Sequence, residues 1–254
     1  MCSSRRIRAA REFAAEHGVG RRNPRMATIQ TIGSWIDLAQ LAEKSSSGAW
    51  VFRGEGTAGN PLLPKAGRVG VYRGAGRRKP YNVADEKRAL ESFKRQARPH
   101  LGHTPSSDLE WLAIAQHHGM ATRLLDWTES LLVAAYFAVA EAGTKGDAAI
   151  FGVSDVRAIT KAEEKKPFSS KAVGVYRPPH ISPRIPAQRS VFSVHPDPTI
   201  PFAPPSLVEW RVSHTVCAKI KKVLDACAVN EASLFPDIDG LSRYLGWRYK
   251  WGKP

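Results

Sequence analysis

Two stretches of this chain hold side chains whose types and spacing could do chemistry. The first runs His117, His118, Gly119, Met120, Ala121, Thr122, Arg123, Leu124, Leu125, Asp126, Trp127, Thr128. Imidazoles, hydroxyls, a guanidinium and a carboxylate set this close can hold an anion, orient a hydroxyl or move a proton. The second is Arg53 followed at once by Gly54, closing the run Ala49, Trp50, Val51, Phe52. An arginine fork at a strand end grips carboxylate or phosphate in bidentate fashion, and a glycine beside it lets a ligand come close. Plainer readings stand next to these. Arg123 could pair with Asp126 and cap helix ends, the histidines could sit at a helix C-terminus where positive charge is favoured, and Arg53 could be a strand-end arginine in solvent.

These residues need elements to position them. Leu131 to Ala140 is an unbroken apolar run, which reads as a helix buried on all sides, with Thr128 as its expected N-cap. Burying that helix would pin the polar stretch before it against the core. A capping box at Ser107 and Glu110 starts a helix through Gln116 that Gly119 ends. Ile29 to Lys44 is expected as an amphipathic helix, with Trp35, Leu38, Leu41 and Ala42 on one face. Asp85 to Arg98 is expected as another, carrying Leu90, Phe93 and Ala97. Strands are expected at 49–54, 148–153, 172–177, 185–194 and 206–213. In the first, Trp50 and Phe52 would share one face, with Val51 and Arg53 on the other. Residues 60–80 read as a basic loop with a short strand near 68–72, and 161–166 as a charged, mobile loop. Val216 to Ala226 is a helix, and Asn230 can cap the next. Asp237 and Asp239 lack the rest of a calcium loop and more simply cap helix ends. The pattern is α+β: a single domain with N-terminal helices, a central mixed or antiparallel sheet and C-terminal helices. It would occupy 26–254, with a C-terminal helical cap, behind a basic extension at 1–25 that is a weak helix or a disordered arm and dispensable for the fold.

Composition narrows the partners. The chain has 254 residues, 43% hydrophobic and 24% charged, enough for a sizeable core. No apolar run approaches the ~20 residues a bilayer requires, and no signal-peptide leader is recognised, so no membrane partner is expected. Three scattered cysteines indicate neither a disulfide framework nor a zinc site, and no metal is expected; a reducing cytoplasm fits. Net charge is +15, which favours polyanions, nucleic acid first among them. Seven arginines against Glu12 and Glu16 put +5 of it in residues 1–25, leaving +10 for the rest. Lys65, Arg68, Arg73, Arg77, Arg78 and Lys79 are the candidate nucleic-acid contacts. Trp247, Tyr249 and Trp251, interleaved with Arg248 and Lys250, could stack on bases.

Taken together, Phe52-Arg53-Gly54, the stretch from His118 to Thr128, Ala135 to Ala138, and Leu234 to Leu241 resemble the FRG domain family over roughly Trp50 to Leu245. A second resemblance, to arginine-class ADP-ribosyltransferases, rests on Arg53-Gly54, on Thr122 to Thr128, and on Tyr136-Phe137-Ala138. It implies an ADP-ribosyltransferase-like sheet and NAD as substrate. Arg53 would hold the NAD phosphate, with Gly54, His118, Thr122, Arg123, Thr128 and Tyr136 as further candidates for binding NAD. The late strand where such enzymes carry a catalytic glutamate offers only Gln188, and a glutamine loses the electrostatic stabilisation a carboxylate gives. Asp126, Glu209 and Gln188 are therefore the catalytic candidates. Asp126 is preferred, because Arg123 would hold it ionised and the Trp127 ring could wall a nicotinamide pocket; Glu209 would instead be partly neutralised by Arg211.

Three functions follow. One is an NAD-dependent ADP-ribosyltransferase modifying DNA or RNA, as a toxin or anti-phage effector with an antitoxin or immunity partner. Another is a non-enzymatic nucleic-acid-binding FRG module. The third is a hydrolase built on His117 or His118 with Asp126, which lacks a serine or cysteine in a recognisable nucleophile elbow.

Overall fold

The computed structural model describes residues 29–68, 73–74, 77–78, 80–102, 104–140, 146–180 and 182–250. In chain order the elements are β1 (Ile29–Ile32), α1 (Trp35–Lys44), β2 (Val51–Glu55), β3 (Arg73–Gly74), β4 (Arg77–Arg78), α2 (Val83–Ala97), α3 (Asp108–His117), β5 (Leu124–Thr128) and α4 (Leu131–Ala140). There follow β6 (Ala148–Val153), α5 (Lys161–Lys165), β7 (Gly174–Tyr176), α6 (Arg184–Gln188), β8 (Ser190–Val194), β9 (Val208–Val212), α7 (His214–Ala226), α8 (Glu231–Leu234) and α9 (Ile238–Lys250). The fold is α+β. Its main sheet runs β1-β9-β6-β2-β5-β8-β7. The β1–β9 pair is parallel and the other pairs are antiparallel, so the sheet is mixed. Among the described residues no helix is long and apolar enough to cross a membrane.

The polar stretch is positioned by α4. This helix spans the ten residues its apolar run implied, and Leu131, Val133, Ala134, Ala135, Tyr136, Ala138 and Val139 are all buried. It lies across β2, where Phe52, Ile150, Trp210 and Val212 meet it in one apolar cluster with residues of α1 and α7. Trp50 stacks on Phe52 at 6.0 Å on that same face, while Val51 joins a second cluster with Leu125, Trp127, Phe151 and Val191. The third cluster brings α2 and α3 onto the sheet through Leu90, Leu109, Leu112, Leu124 and Phe192.

The Gly54 position is set by this packing. A Cβ there would lie 2.0 Å from the carbonyl oxygen of Ala134 and 2.5 Å from the Ala138 nitrogen. The space left by the missing side chain is therefore filled by the backbone of α4, where a ligand had been expected. Because the obstructing atoms are backbone, neither side can yield cheaply. Gly54→Ala should destabilise by about 2–3 kcal/mol or more, lowering Tm by roughly 5–10 °C in a thermal melt. An unchanged Tm would refute the close approach.

Several expectations are corrected. Residues 29–32 form a strand rather than the first helical turn; pairing with β9 fixes them, and Ser34 caps α1 by accepting from the Asp37 N–H. Thr128 ends β5 instead of capping α4. Its hydroxyl donates to the Gln188 carbonyl at 2.7 Å and accepts from the Ser130 N–H, while the Ser130 hydroxyl accepts from the Val133 N–H at 3.4 Å. The strand expected at 185–194 is broken: Arg184–Gln188 is a short helix, Arg189 turns left-handed at φ 46°, and only Ser190–Val194 is extended. Pro183 and Pro186 account for this, since proline suits a helix start and not a central strand. The loop at 161–166 is instead a short helix, closed by a capping box between Thr160 and Glu163. Residues 1–25, and 69–72 of the strand expected near 68–72, lie outside the described residues.

A buried polar chain runs under the sheet. The Trp127 indole N–H donates to Ser193 Oγ at 2.9 Å, and Ser193 Oγ lies 2.8 Å from His195 Nε2. Burial, with the Arg123 charge adding to it, pushes the His195 imidazole down to about 4. In the unfolded chain it titrates near 6.5. Between those values the unfolded state binds more protons, so the His195 contribution is intact above pH 6.5 and is lost as pH falls to 4. The difference is about 3 kcal/mol. Denaturant unfolding at pH 7 and pH 4 should show this loss in the parent and a markedly smaller one in His195→Gln; equal pH dependence in both would refute it.

Candidate functional site

Strands β2 and β5 pair only at Phe52 with Thr128, whereas β2 pairs with β6 along all five residues. The sheet therefore opens beyond Phe52, and the Arg53 side chain enters the gap. Its Nη1 donates to the Asp126 carbonyl at 2.7 Å, replacing the ladder bond that β2 does not make. Its Nε donates to Glu55 Oε1 at 2.8 Å, and Nη2 bonds the same carboxylate. The Asp126 carboxylate lies 3.8 Å from Nη1. Among the described residues three of the five guanidinium N–H groups are thus engaged, leaving two.

This gap is the floor of a cleft of about 320 Å³, whose lining includes Arg53, Glu55, Arg68, Asp126, Thr128 and Gln188. Phe137 from α4 and Phe235 from the turn after α8 form one wall, edge to face at 6.1 Å. The volume is at the lower end of the ~300–1,000 Å³ usual for small-molecule sites. A smaller pocket of about 80 Å³ shares Asp126, Gln188 and Ser190 with it and adds His117, His118 and Ser182. There His117 Nε2 lies 3.2 Å from Ser182 Oγ. Burial, then the His118 and Arg184 charges, lower the affinity of His117 for a proton.

Of the residues expected at a site, Arg53, Gly54, Asp126, Thr128 and Gln188 converge on this cleft, as does Arg68 from the basic set. Others lie elsewhere. Arg123 does not face Asp126; it is fully buried and paired with Glu86 at 2.9 Å, so Arg53 is the guanidinium beside Asp126. Thr122 is buried and acts at one remove: its hydroxyl donates to Gln116 Oε1, and Gln116 Nε2 donates to Asp126 Oδ1 at 2.8 Å. The Tyr136 hydroxyl bonds Glu231 on the other side of α4. His118 caps α3 and lines the smaller pocket, not the Arg53 cleft. Glu209 is tied to Arg211 at 3.1 Å on β9, with β6 between it and β2. Trp127 lines the cleft, but its ring packs edge-on against Phe202 at 5.8 Å and its indole N–H bonds Ser193, so the ring itself faces the core. Gln188 is reached from a helix end, its amide donating to the Leu234 carbonyl at 3.0 Å.

Among the remaining basic candidates, Lys65 donates to the Gly119 carbonyl at 2.7 Å. The backbone register sets Arg73 opposite Arg78 and Gly74 opposite Arg77 in a two-stranded ribbon. Lys79 and Trp251 lie outside the described residues. Trp247 lies 5.2 Å from Lys221 Nζ, while Tyr249 is exposed. Asp237 accepts from the Gly240 N–H at 2.7 Å, capping α9, and pairs with Arg184; that pairing first, and the cap second, hold its carboxyl below the usual range.

Glu55 was not singled out from sequence, and the two phenylalanines stood only inside the resemblance motifs at 136–138 and 234–241, with no site role. The signal for Glu55 was present: the two-residue period of a strand places it on the same face as Arg53. For Phe235 no local spacing places the ring at the cleft, since tertiary folding alone brings it to Phe137.

In comparison with known proteins, the FRG domain model matches residues 48–147. No curated protein and no solved structure matches the chain. The matched segment contains β2, β5 and α4, and hence Arg53, Asp126 and Phe137; Gln188, Ser190 and Phe235 come from beyond it.

Proposed function

We propose that the cleft around Arg53, part of which lies in the segment matched by the FRG domain model, is the active site of an NAD-dependent ADP-ribosyltransferase that modifies DNA or RNA. The observation that carries this reading is the convergence of the Glu55 and Asp126 carboxylates on one guanidinium in a cleft with an aromatic wall. NAD supplies a glycosidic bond whose nicotinamide leaves with the bonding electrons while an acceptor atom bonds to the ribose carbon and gives up a proton. The residues present fit such a substrate. The two N–H groups remaining on Arg53, together with Arg68, suit a pyrophosphate. Phe137 and Phe235 offer a face for the nicotinamide ring. Glu55, held by Arg53, can accept from a ribose hydroxyl and stabilise positive charge developing on the sugar. Asp126, exposed at the mouth and oriented by Gln116, is placed to take the acceptor's proton.

The nucleic-acid acceptor is supported by the +15 charge and by Arg68 at the edge of the cleft. We extend the proposal to a toxin or anti-phage role with an antitoxin or immunity partner; this extension rests on the reaction alone. The second reading, a module that binds nucleic acid without turnover, is favoured by one observation: Arg53 already spends three donors within the protein.

The test is to incubate the protein with NAD labelled in its ADP-ribose half, with single-stranded DNA, duplex DNA or RNA. Nicotinamide release and transfer of label are expected. Arg53→Lys should abolish both, because a point charge cannot hold Glu55 and Asp126 together. Salt-sensitive binding, at roughly 0.9 in the log–log slope per phosphate contact on duplex DNA, without nicotinamide release, would establish the module instead.

A further inference from the structure

A second pocket, on the other side of α4, shares no lining residue with the Arg53 cleft. Tyr136 faces it, while its neighbour Phe137 faces the cleft. Its other walls come from Lys221 of α7, Glu231 of α8, and Tyr244 and Trp247 of α9. The two aromatic rings of α9 lie 6.3 Å apart, inclined by 32°.

The charges of this pocket are unevenly matched. Glu231 accepts from the Tyr136 hydroxyl and from Arg243 Nε at 2.7 Å. Asp225 accepts from the Asn230 amide at 2.9 Å and lies 3.4 Å from Arg248. Both carboxylates are therefore engaged. Lys221 pairs with no carboxylate among the described residues; its ammonium lies 5.2 Å from the centre of the Trp247 ring. Burial lowers its proton affinity; the Glu231 charge, already engaged by Tyr136 and Arg243, offsets this only in part, and a bound anion would offset it further.

Size and chemistry select the ligand. The pocket holds about 210 Å³. An engineered cavity of roughly 150 Å³ in another protein admits benzene, so the space suits one six-membered ring with a small substituent. It is too small for a dinucleotide. A flat ring can lie against Trp247 and Tyr244, and a carboxylate on it would meet the Lys221 ammonium.

We infer that this pocket binds a single-ring aromatic monocarboxylate, with Lys221 as its counter-ion and Trp247 and Tyr244 as its stacking surface. The inference does not depend on the proposed transferase activity.

The test is a titration of the full chain with benzoate, and with benzamide as the neutral isostere, followed by NMR at the indole N–H signal that disappears in Trp247→Phe. Benzoate should move that signal saturably and bind about tenfold or more tighter than benzamide. Lys221→Met, which keeps the aliphatic stem against Trp247, should remove that preference. Arg53→Lys, in the other cleft, should leave benzoate binding unchanged. No saturable shift, or equal affinity for the two ligands in the parent protein, would overturn the inference without any variant. So would benzoate binding undiminished in folded Lys221→Met.

Discussion

Glu86→Ala should lower the free energy of unfolding by about 3–5 kcal/mol. Glu86 and Arg123 are both fully buried and bonded at 2.9 Å. One Glu86 oxygen accepts from the Arg123 backbone N–H at 2.8 Å; the other also accepts from the Tyr81 hydroxyl at 2.7 Å. Arg123 further donates to Tyr81 Oη at 2.9 Å and to the His195 and Pro196 carbonyls, and its guanidinium stacks on Phe168 at 4.1 Å. Removing the carboxylate would leave a guanidinium without its counter-charge in the interior, together with an orphaned backbone N–H. Exposed pairs such as Arg88 with Asp85 contribute about 0–1 kcal/mol at most, because water screens them. The double variant Glu86→Leu with Arg123→Met removes both charges and should recover most of the loss. Urea unfolding of the parent and the variants measures this. A loss below about 1 kcal/mol in Glu86→Ala would show that water or relaxation reaches the pair, and that α2 does not anchor the start of β5.

This buried pair shows where sequence reading stops. Arg123 sits among residues with chemical potential and was taken for a ligand contact. Arginine is almost never fully buried unless paired, and the partner of Arg123 lies 37 residues earlier, on α2. No local pattern links the two. By contrast, α4 was legible because ten consecutive apolar residues need no distant partner to declare burial. The alternation of Trp50 and Phe52 against Val51 and Arg53 was legible for the same reason. The β1 strand was not: it is four residues long and is extended because it pairs with β9, about 180 residues away. Gln188 was misplaced although Pro183 and Pro186 stood as warnings, because the β-branched and aromatic residues after it dominated the pattern. Gly54 carried a local signal with two readings, a ligand or a helix coming close, and only packing chose between them.

The same limit decides which acid should matter for the proposed transfer. From sequence, Asp126 led and Glu209 was the fallback. The structure adds Glu55 to the cleft, while Glu209 stays beside Arg211 with β6 between it and the strand of Arg53. Glu55 receives two bonds from Arg53, which fix its orientation before any substrate arrives. Asp126 is more exposed and is fixed at one oxygen by Gln116. A carboxylate that stabilises charge developing on a sugar needs a dry, preorganised setting; one that accepts a proton from an incoming acceptor needs access. Glu55→Gln should therefore reduce transfer 100-fold or more, about 2.7 kcal/mol, with little change in substrate KM. Asp126→Asn should reduce it by about 10- to 100-fold and shift the pH dependence of kcat. Gln188→Ala should act mainly through KM, and Glu209→Gln should leave transfer nearly unchanged. The comparison is made at equal folded concentration, following nicotinamide release and label transfer separately. Full activity in Glu55→Gln, with a large loss in Glu209→Gln, would place the reaction outside the Arg53 cleft. Equal small losses in all four, tracking stability, would mean that these side chains hold the fold together and do no chemistry.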